Sequence, residues 1–285
     1  VAPLEQASNS GERPLVSDTG ERVACKDGVA CGVRDVHVFY YMWYGSKAFD
    51  DQWVHWNHIY IPHWNKMQAA KWKHGQHDPD KDDIGSSFWP ELGLYSSRDP
   101  EVIRNHLRSM VRARIGVVVV SWYPPGLKDE NGMFDHEDLL QMLLDLCIEY
   151  DLEVALHIEP YQNRSATSVK RDLQYIAERF GDHPALHKRI PTGRHRSWLR
   201  KDRQDVALPF VYMYDSYHTS PQEWARLLTP NGGITVRNTE YDAIVVCLWT
   251  MQKHSSYLEI GGFDGAYTYF AATGFTYGST VKNWR

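Results

Sequence analysis

Two carboxylates stand out by position: Glu159 in His157-Ile-Glu-Pro-Tyr161 and Asp215 in Tyr214-Asp-Ser-Tyr217. Each follows an apolar run and has aromatic neighbours. Paired carboxyl groups above aromatic rings suit glycoside hydrolysis, in which one protonates the leaving oxygen and the other acts as base or nucleophile. A conventional retaining mechanism through this pair needs the carboxyl groups about 5–5.5 Å apart. The competing reading is that both only hydrogen-bond sugar hydroxyls or neighbouring loops. Other chemistries fit less well. His55-x-x-His58, with His63, His74 and His77, lies in one stretch, but no His-Glu-x-x-His occurs and the cysteines lack zinc spacing. No metal site is expected. Asp78, Asp80, Asp82 and Asp83 alternate as in a calcium loop but lack its Gly and terminal Glu, and read as a solvated acidic turn. There is no Gly-x-Ser-x-Gly for a serine nucleophile and no Gly-x-Gly-x-x-Gly for a dinucleotide.

The elements that must position these carboxylates repeat one design. Residues 36–42 read as a strand that ends in Tyr40-Tyr-Met-Trp-Tyr44. Further strands are predicted at 116–121, 152–158, 209–214, 241–248 and 263–270, with aromatic or acidic residues gathered at their carboxyl ends. Helices are predicted from Asp99-Pro100-Glu101 to about 114, at 136–150 and 166–180, from Ser220-Pro221, and more weakly at 254–260, with another starting near 283. Strand and helix in alternation imply a parallel sheet with right-handed crossovers. Polar and aromatic carboxyl ends match the active-site face of a (β/α)8 TIM-type barrel, of which about six of the eight β/α units are present. Residues 1–34 read as a flexible N-terminal segment and 35–285 as a partial barrel domain. The basic stretch 181–207 reads as a solvent-exposed loop. The insertion 46–97, with Trp53, Trp56, Trp64, Trp72 and Trp89, is long enough to be a lid or binding wall.

Composition narrows the partners. A net charge of -5 and a pI near 6.3 argue against nucleic acid, which calls for a basic face. Eleven Trp and seventeen Tyr without a basic excess point to carbohydrate. No run of 18 apolar residues reads as a membrane span. The chain starts at Val1 without a signal peptide, as a processed end would. Cys25 and Cys31 are close enough in sequence for a small disulfide, whereas Cys147 and Cys247 read as buried thiols. The sequon Asn163-Arg164-Ser165 is compatible with a secretory location, and a glycan there would crowd the face that carries Glu159.

The longer motifs resemble glycoside hydrolase family 99, the endo-α-1,2-mannosidases, especially the animal Golgi type. They are His37-Val-Phe-Tyr-Tyr-Met-Trp-Tyr-Gly45, Asp83-Ile-Gly-Ser-Ser-Phe-Trp-Pro-Glu-Leu-Gly93, Tyr95-Ser-Ser-Arg-Asp-Pro100 and Ser121-Trp-Tyr-Pro-Pro-Gly126. His157-Ile-Glu-Pro-Tyr161, Tyr214-Asp-Ser-Tyr217, Leu228-Thr-Pro-Asn231 and Gly262-Phe-Asp-Gly-Ala-Tyr-Thr-Tyr-Phe270 continue the match. The resemblance implies a (β/α)8 barrel and cleavage inside glucosylated high-mannose N-glycans, releasing a glucosyl-mannose disaccharide with retention. It implies a Golgi-lumenal enzyme, membrane-anchored at full length, and no cofactor. The family's proposed mechanism uses one carboxylate to deprotonate the sugar's own 2-hydroxyl, giving an epoxide-like intermediate, and a second as acid and then base. Those two Glu belong to an Asn-Glu-Trp-x-Glu type motif that this sequence does not contain. What carries over is a binding wall: Tyr41, Tyr44, Trp122, Tyr123, His157, Glu159, Asp215, Tyr217 and Tyr267. Glu159 stands where the animal enzymes often have Gln. With the acid pair missing, Glu159 and Asp215 are the fallback catalytic candidates. An open six-strand sheet exposes two edges, so the chain is expected to be an unstable or inactive fragment, or a mannoside-binding form without hydrolysis.

Overall fold

In the computed structural model, residues 33–61, 67, 70, 71, 73–128, 136–269 and 273–283 are described. The Cys25–Cys31 pair, most of the expected lead-in, His63, Trp64 and Trp72 lie outside these residues. Six parallel strands run in the order β1 (Val33–Tyr40), β2 (Ile115–Trp122), β3 (Glu153–Ile158), β5 (Leu208–Met213), β6 (Ile244–Leu248) and β7 (Gly265–Tyr267). A two-residue strand, β4 (Lys188–Arg189), pairs antiparallel with β5 off this path. The helices are α1 (Lys47–Asp50), α2 (Pro100–Arg112), α3 (His136–Glu149), α4 (Ala166–Phe180), α5 (Gly193–Trp198), α6 (Pro221–Leu228) and α7 (Ser255–Glu259).

Local chemistry explains where the helices start. Asp99 accepts a hydrogen bond from the Glu101 N–H ahead of Pro100, and Ser220 accepts one from the Glu223 N–H ahead of Pro221. Ser165 and Ser168 form a reciprocal capping box at the start of α4. Ile103, Leu107 and Met110 are buried on one face of α2, and Val169, Leu173, Ile176 and Phe180 on one face of α4. Each such side chain contributes about 1.5–3 kcal/mol on burial.

The pleat divides the sheet into two layers. Val118, Val120, Val154, Leu156, Ile158, Val211, Met213, Val245 and Cys247 face the helices in one large apolar cluster. Val117, Val119, Ala155, Tyr212 and Val246 form a second, smaller cluster with Phe39, Phe210 and Tyr267 packed on it. That second cluster lines the inside of a curl. The Phe39 ring on β1 lies 5.7 Å from Tyr267 on β7 and 5.0 Å from Tyr269 just beyond it, although β1 and β7 stand at opposite ends of the strand order. The sheet is therefore a curled half-barrel, the expected partial (β/α) barrel.

Two expectations need correction. Val33 and Arg34 belong to β1, because Val33 pairs with Ile115, so the last two residues of the segment read as flexible lie in the sheet. Near 283 the described residues end in a short 3-10 turn, Val281–Asn283, and the rest of the helix expected to start there lies outside them. The stretch 181–207 is not a solvated loop: it contains β4 and α5, and it buries Leu186, His187, His195 and Leu199. The buried histidines of that stretch have partners elsewhere in the chain. The His187 ring hydrogen-bonds Glu153 at 2.5 Å. His195 lies 3.0 Å from Asp264 and 3.3 Å from Asp242. Both carboxylates are also held by the fully buried Arg237, at 3.1 and 3.0 Å. Burial alone would favour neutral groups here, but the partners outweigh it: the His195 pKa lies above its ordinary value and that of Asp242 below. Arg237 also donates to the carbonyls of Leu228, Ala243 and Gly262, which fastens the amino ends of β6 and β7 to the turns around them.

Candidate functional site

Register decides which side chains meet inside the curl. Ser121 is opposite His157, His157 opposite Tyr212, Tyr212 opposite Val246, and Val246 opposite Gly265. One step further along, Glu159 follows β3 on the same face. It is 5% exposed, a depth at which a carboxylate needs partners. The Ser121 hydroxyl donates to Glu159 Oε1 at 2.7 Å. His157 Nδ1 lies 3.7 Å from the same oxygen, too far for a hydrogen bond. Its Nε2 meets the Tyr267 hydroxyl at 2.6 Å.

Burial, with Arg164 nearby, pushes the His157 pKa down to about 3, so the ring is neutral. Burial, with Glu159, Tyr214 and Asp215 nearby, holds Tyr267 protonated well above its ordinary range. When Tyr267 donates to Nε2, the neutral imidazole carries its own proton on Nδ1, turned toward Glu159 and without a hydrogen-bond partner. Ser121, Glu159, His157 and Tyr267 thus form one chain of polar contacts across β2, β3 and β7. Tyr214 and Tyr269 surround it: Tyr214 lies 4.8 Å from His157 and 5.0 Å from Tyr269, ring to ring.

Asp215 sits at the carboxyl end of β5 with left-handed backbone angles, φ 44° and ψ 42°. The Tyr217 hydroxyl donates to its Oδ1 at 2.5 Å. Tyr217 stacks on His254 at 5.3 Å and borders a cleft of about 530 Å³ together with Thr250, Met251, Phe275 and Tyr277. The cleft opens between the turns that follow β5, β6 and β7.

Tyr41 and Tyr44 stand apart from this group, in an aromatic wall that anchors the insertion on β1. Tyr41 stacks on Trp43 at 4.4 Å, and Trp43 stacks on His55 at 4.5 Å. Tyr44 stacks on Trp56 at 4.1 Å, and the Trp56 indole N–H donates to the Tyr95 carbonyl at 2.8 Å. The Tyr41 hydroxyl and the indole N–H groups of Trp43 and Trp249 are buried without hydrogen-bond partners. Such groups at strand carboxyl ends can serve ligand hydroxyls.

Trp122 and Tyr123 belong elsewhere. Ser121 points inward, so Trp122 points outward; it is 2% exposed and stacks on Tyr175 of α4 at 6.2 Å. Tyr123 is buried in the same helix-facing cluster. Trp122 therefore does not line the inner face, which corrects the expectation that it belongs to the binding wall. The acidic turn is also not merely solvated: Asp83 accepts from Tyr60, from His77 at 2.6 Å and from Lys73 at 3.0 Å, and these bonds hold its pKa well down. His55, His58 and His77 are likewise taken up in stacking or local hydrogen bonds.

Sequence reasoning missed Phe39, Ser121, Tyr212, Tyr214 and Tyr269; a two-residue step from Tyr267 finds Tyr269, whereas Ser121 and Tyr212 are placed only by the register of their strands against His157. It also missed Arg164, whose guanidinium donates to the Ile158 carbonyl at 3.2 Å and the Asp215 carbonyl at 2.8 Å. Asn163 is exposed in the turn before it, with φ 62°.

Known proteins resemble this chain in sequence and fold. The profile of glycosyl hydrolase family 99 matches residues 33–285. The glycoprotein endo-alpha-1,2-mannosidase-like protein of Homo sapiens is 45% identical over 251 residues, which cover 88% of this chain and 52% of that protein. The glycoprotein endo-alpha-1,2-mannosidase of Rattus norvegicus is 47% identical over 249 residues, covering 87% of this chain and 51% of that protein. Among solved structures, the GH99 endo-alpha-mannosidase from Bacteroides thetaiotaomicron superposes with a TM-score of 0.72 at 36% identity, over 88% of this chain and 66% of that one. The chain thus spans about half the length of these animal relatives.

Proposed function

This chain belongs to glycosyl hydrolase family 99, and from that premise we propose that it is the sugar-binding part of an endo-acting α-mannosidase. The reading is that the whole protein trims glucosylated high-mannose N-glycans in the Golgi lumen and releases a glucosyl-mannose disaccharide with retention. The observation that carries it is the buried chain Ser121–Glu159–His157–Tyr267 beneath tyrosine rings. In this reading Glu159 accepts from sugar hydroxyls, the His157 Nδ1–H donates to one, and the rings of Tyr214 and Tyr269 pack on C–H faces of the sugar. Ser121 keeps one Glu159 oxygen oriented, and neutral His157 adds no charge of its own beside that carboxylate.

The second reading is a mannoside-binding chain that does not hydrolyse. It is favoured by the absence of Asn-Glu-Trp-x-Glu from residues 1–285. One experiment separates the two. The purified chain is given a fluorescent glucosylated high-mannose glycan, and disaccharide release is followed by chromatography; binding of free glucosyl-mannose is measured by calorimetry. Release supports the enzyme reading for this chain and makes Glu159 and Asp215 the first residues to substitute. Binding without release supports the second reading. Neither release nor binding overturns both.

A further inference from the structure

The turn between β3 and α4 places a cation beneath the two strand ends that carry the candidate carboxylates. Asn163 adopts a left-handed conformation, the Arg164 N–H bonds the Tyr161 carbonyl at 3.1 Å, and Ser165 starts the helix. Held at both sides, Arg164 has its guanidinium directed under the sheet's carboxyl edge. One terminal nitrogen donates to the carbonyl of Ile158, the last residue of β3, at 3.2 Å. The other donates to the Asp215 carbonyl, just past β5, at 2.8 Å. The Ile158 carbonyl also accepts from the Tyr214 N–H at 3.1 Å, and the Asp215 carbonyl from the His218 N–H at 3.1 Å. The fork therefore joins a pair of backbone knots, one on each strand.

Asp215 is where such a clamp matters. Its left-handed backbone is one that a non-glycine residue adopts at a cost, and residues held this way cluster at functional sites when their surroundings fix them. Release of the Asp215 carbonyl would let the backbone relax to an ordinary conformation and swing the carboxylate away from Tyr217. Glu159, one residue beyond the other knot, depends on the same clamp.

Resting on the glycan-binding reading above, we propose that Arg164 is a positioning residue: by spanning the carboxyl ends of β3 and β5 it holds Asp215 left-handed and sets the Asp215 and Glu159 carboxylates for one sugar, without touching the sugar itself. Only a planar fork can do this. A lysine keeps the charge but presents a single ammonium, which cannot meet the two carbonyls in the same geometry.

The test uses the whole chain, wild type, Arg164→Lys and Arg164→Ala, with glucosyl-mannose as the probe. Two readouts are taken: disaccharide affinity by calorimetry, and the Asp215 Cα and Cβ chemical shifts in the free protein. Arg164→Lys is expected to weaken binding by about 10- to 100-fold, the range for losing a charge-assisted hydrogen bond. It is also expected to move the Asp215 shifts off left-handed values. Added ethylguanidinium should restore part of the affinity of Arg164→Ala, and ethylammonium should not, a difference that a merely stabilising residue would not produce. Wild-type affinity in Arg164→Lys, or unchanged Asp215 shifts, would overturn the proposal. If the wild type binds no disaccharide, the sugar reading fails, and the Asp215 shifts still decide whether Arg164 holds that backbone. If Arg164→Ala does not fold, Arg164→Lys carries the test alone.

Discussion

Asp172 offers a quantitative check on the site's foundations. It lies on α4, 6% exposed, and its Oδ2 accepts from the Tyr161 hydroxyl at 2.5 Å, so it supports the turn that carries Arg164. Burial raises its pKa from 3.8 to about 6, against the pull of the Tyr161 bond. The folded chain therefore binds the Asp172 proton more tightly than the unfolded chain does. The resulting stability is fully present below the unfolded pKa and is lost as pH rises through the folded one. A shift of about two units corresponds to about 3 kcal/mol lost between about pH 4 and pH 7. Asp172→Asn keeps an acceptor for Tyr161 and has no charge to bury. The variant should match the wild type near pH 3 and exceed it by about 2–3 kcal/mol at pH 7.5. Urea unfolding followed by tryptophan fluorescence, at half-unit pH steps, measures the difference directly. Parallel pH profiles, or a variant less stable than the wild type at pH 7.5, would refute the reasoning.

Other outcomes follow from the same geometry. The His157 imidazole, with its pKa near 3, should show no titration by NMR between pH 5 and 8. Its neutral burial contributes stability that is lost as pH falls below its ordinary value of 6.5. Replacing Arg237 by Ala leaves Asp242 and Asp264 buried beside His195 without their cation, and should cost about 3–5 kcal/mol in urea unfolding. Trp122→Ala should cost about 3–5 kcal/mol of stability. Trp122→Phe, which refills most of that volume, should bind glucosyl-mannose with wild-type affinity, because the ring faces α4 rather than the inner surface.

The parallel sheet was legible because it alternates short apolar strands with amphipathic helices, as in Pro100–Arg112, capped by Asp99, followed by Gly116–Ser121. Glu159 and Asp215 were found because acids directly after such runs have few structural reasons to be there. The side of the sheet each aromatic faces was less legible. Trp122 looked like a rim residue because it follows four valines, and only its parity with Ser121 shows that it turns toward the helices. The burial of 181–207 could not be read from charge, since the partners of His187 and His195 lie 34 and 47 residues away in the chain. Arg164 was hidden for the same reason: its bond to Asp215 spans 51 residues, and its neighbours in sequence suggested only a sequon.

The two-faced pleat of β3 also bears on how this chain can change by insertion and deletion. Odd positions, Ala155, His157 and Glu159, face the inner surface, while even positions, Val154, Leu156 and Ile158, face the helices. Loss of one residue from the Tyr150–Leu152 turn would barely alter the composition of the strand. If the strand kept its place between β2 and β5, the loss would exchange the two sets, delivering aliphatic side chains to Ser121 and burying an imidazole and a carboxylate under α4. Substitutions can therefore accumulate on either face of β3 separately, but a length change before it should be tolerated only in pairs.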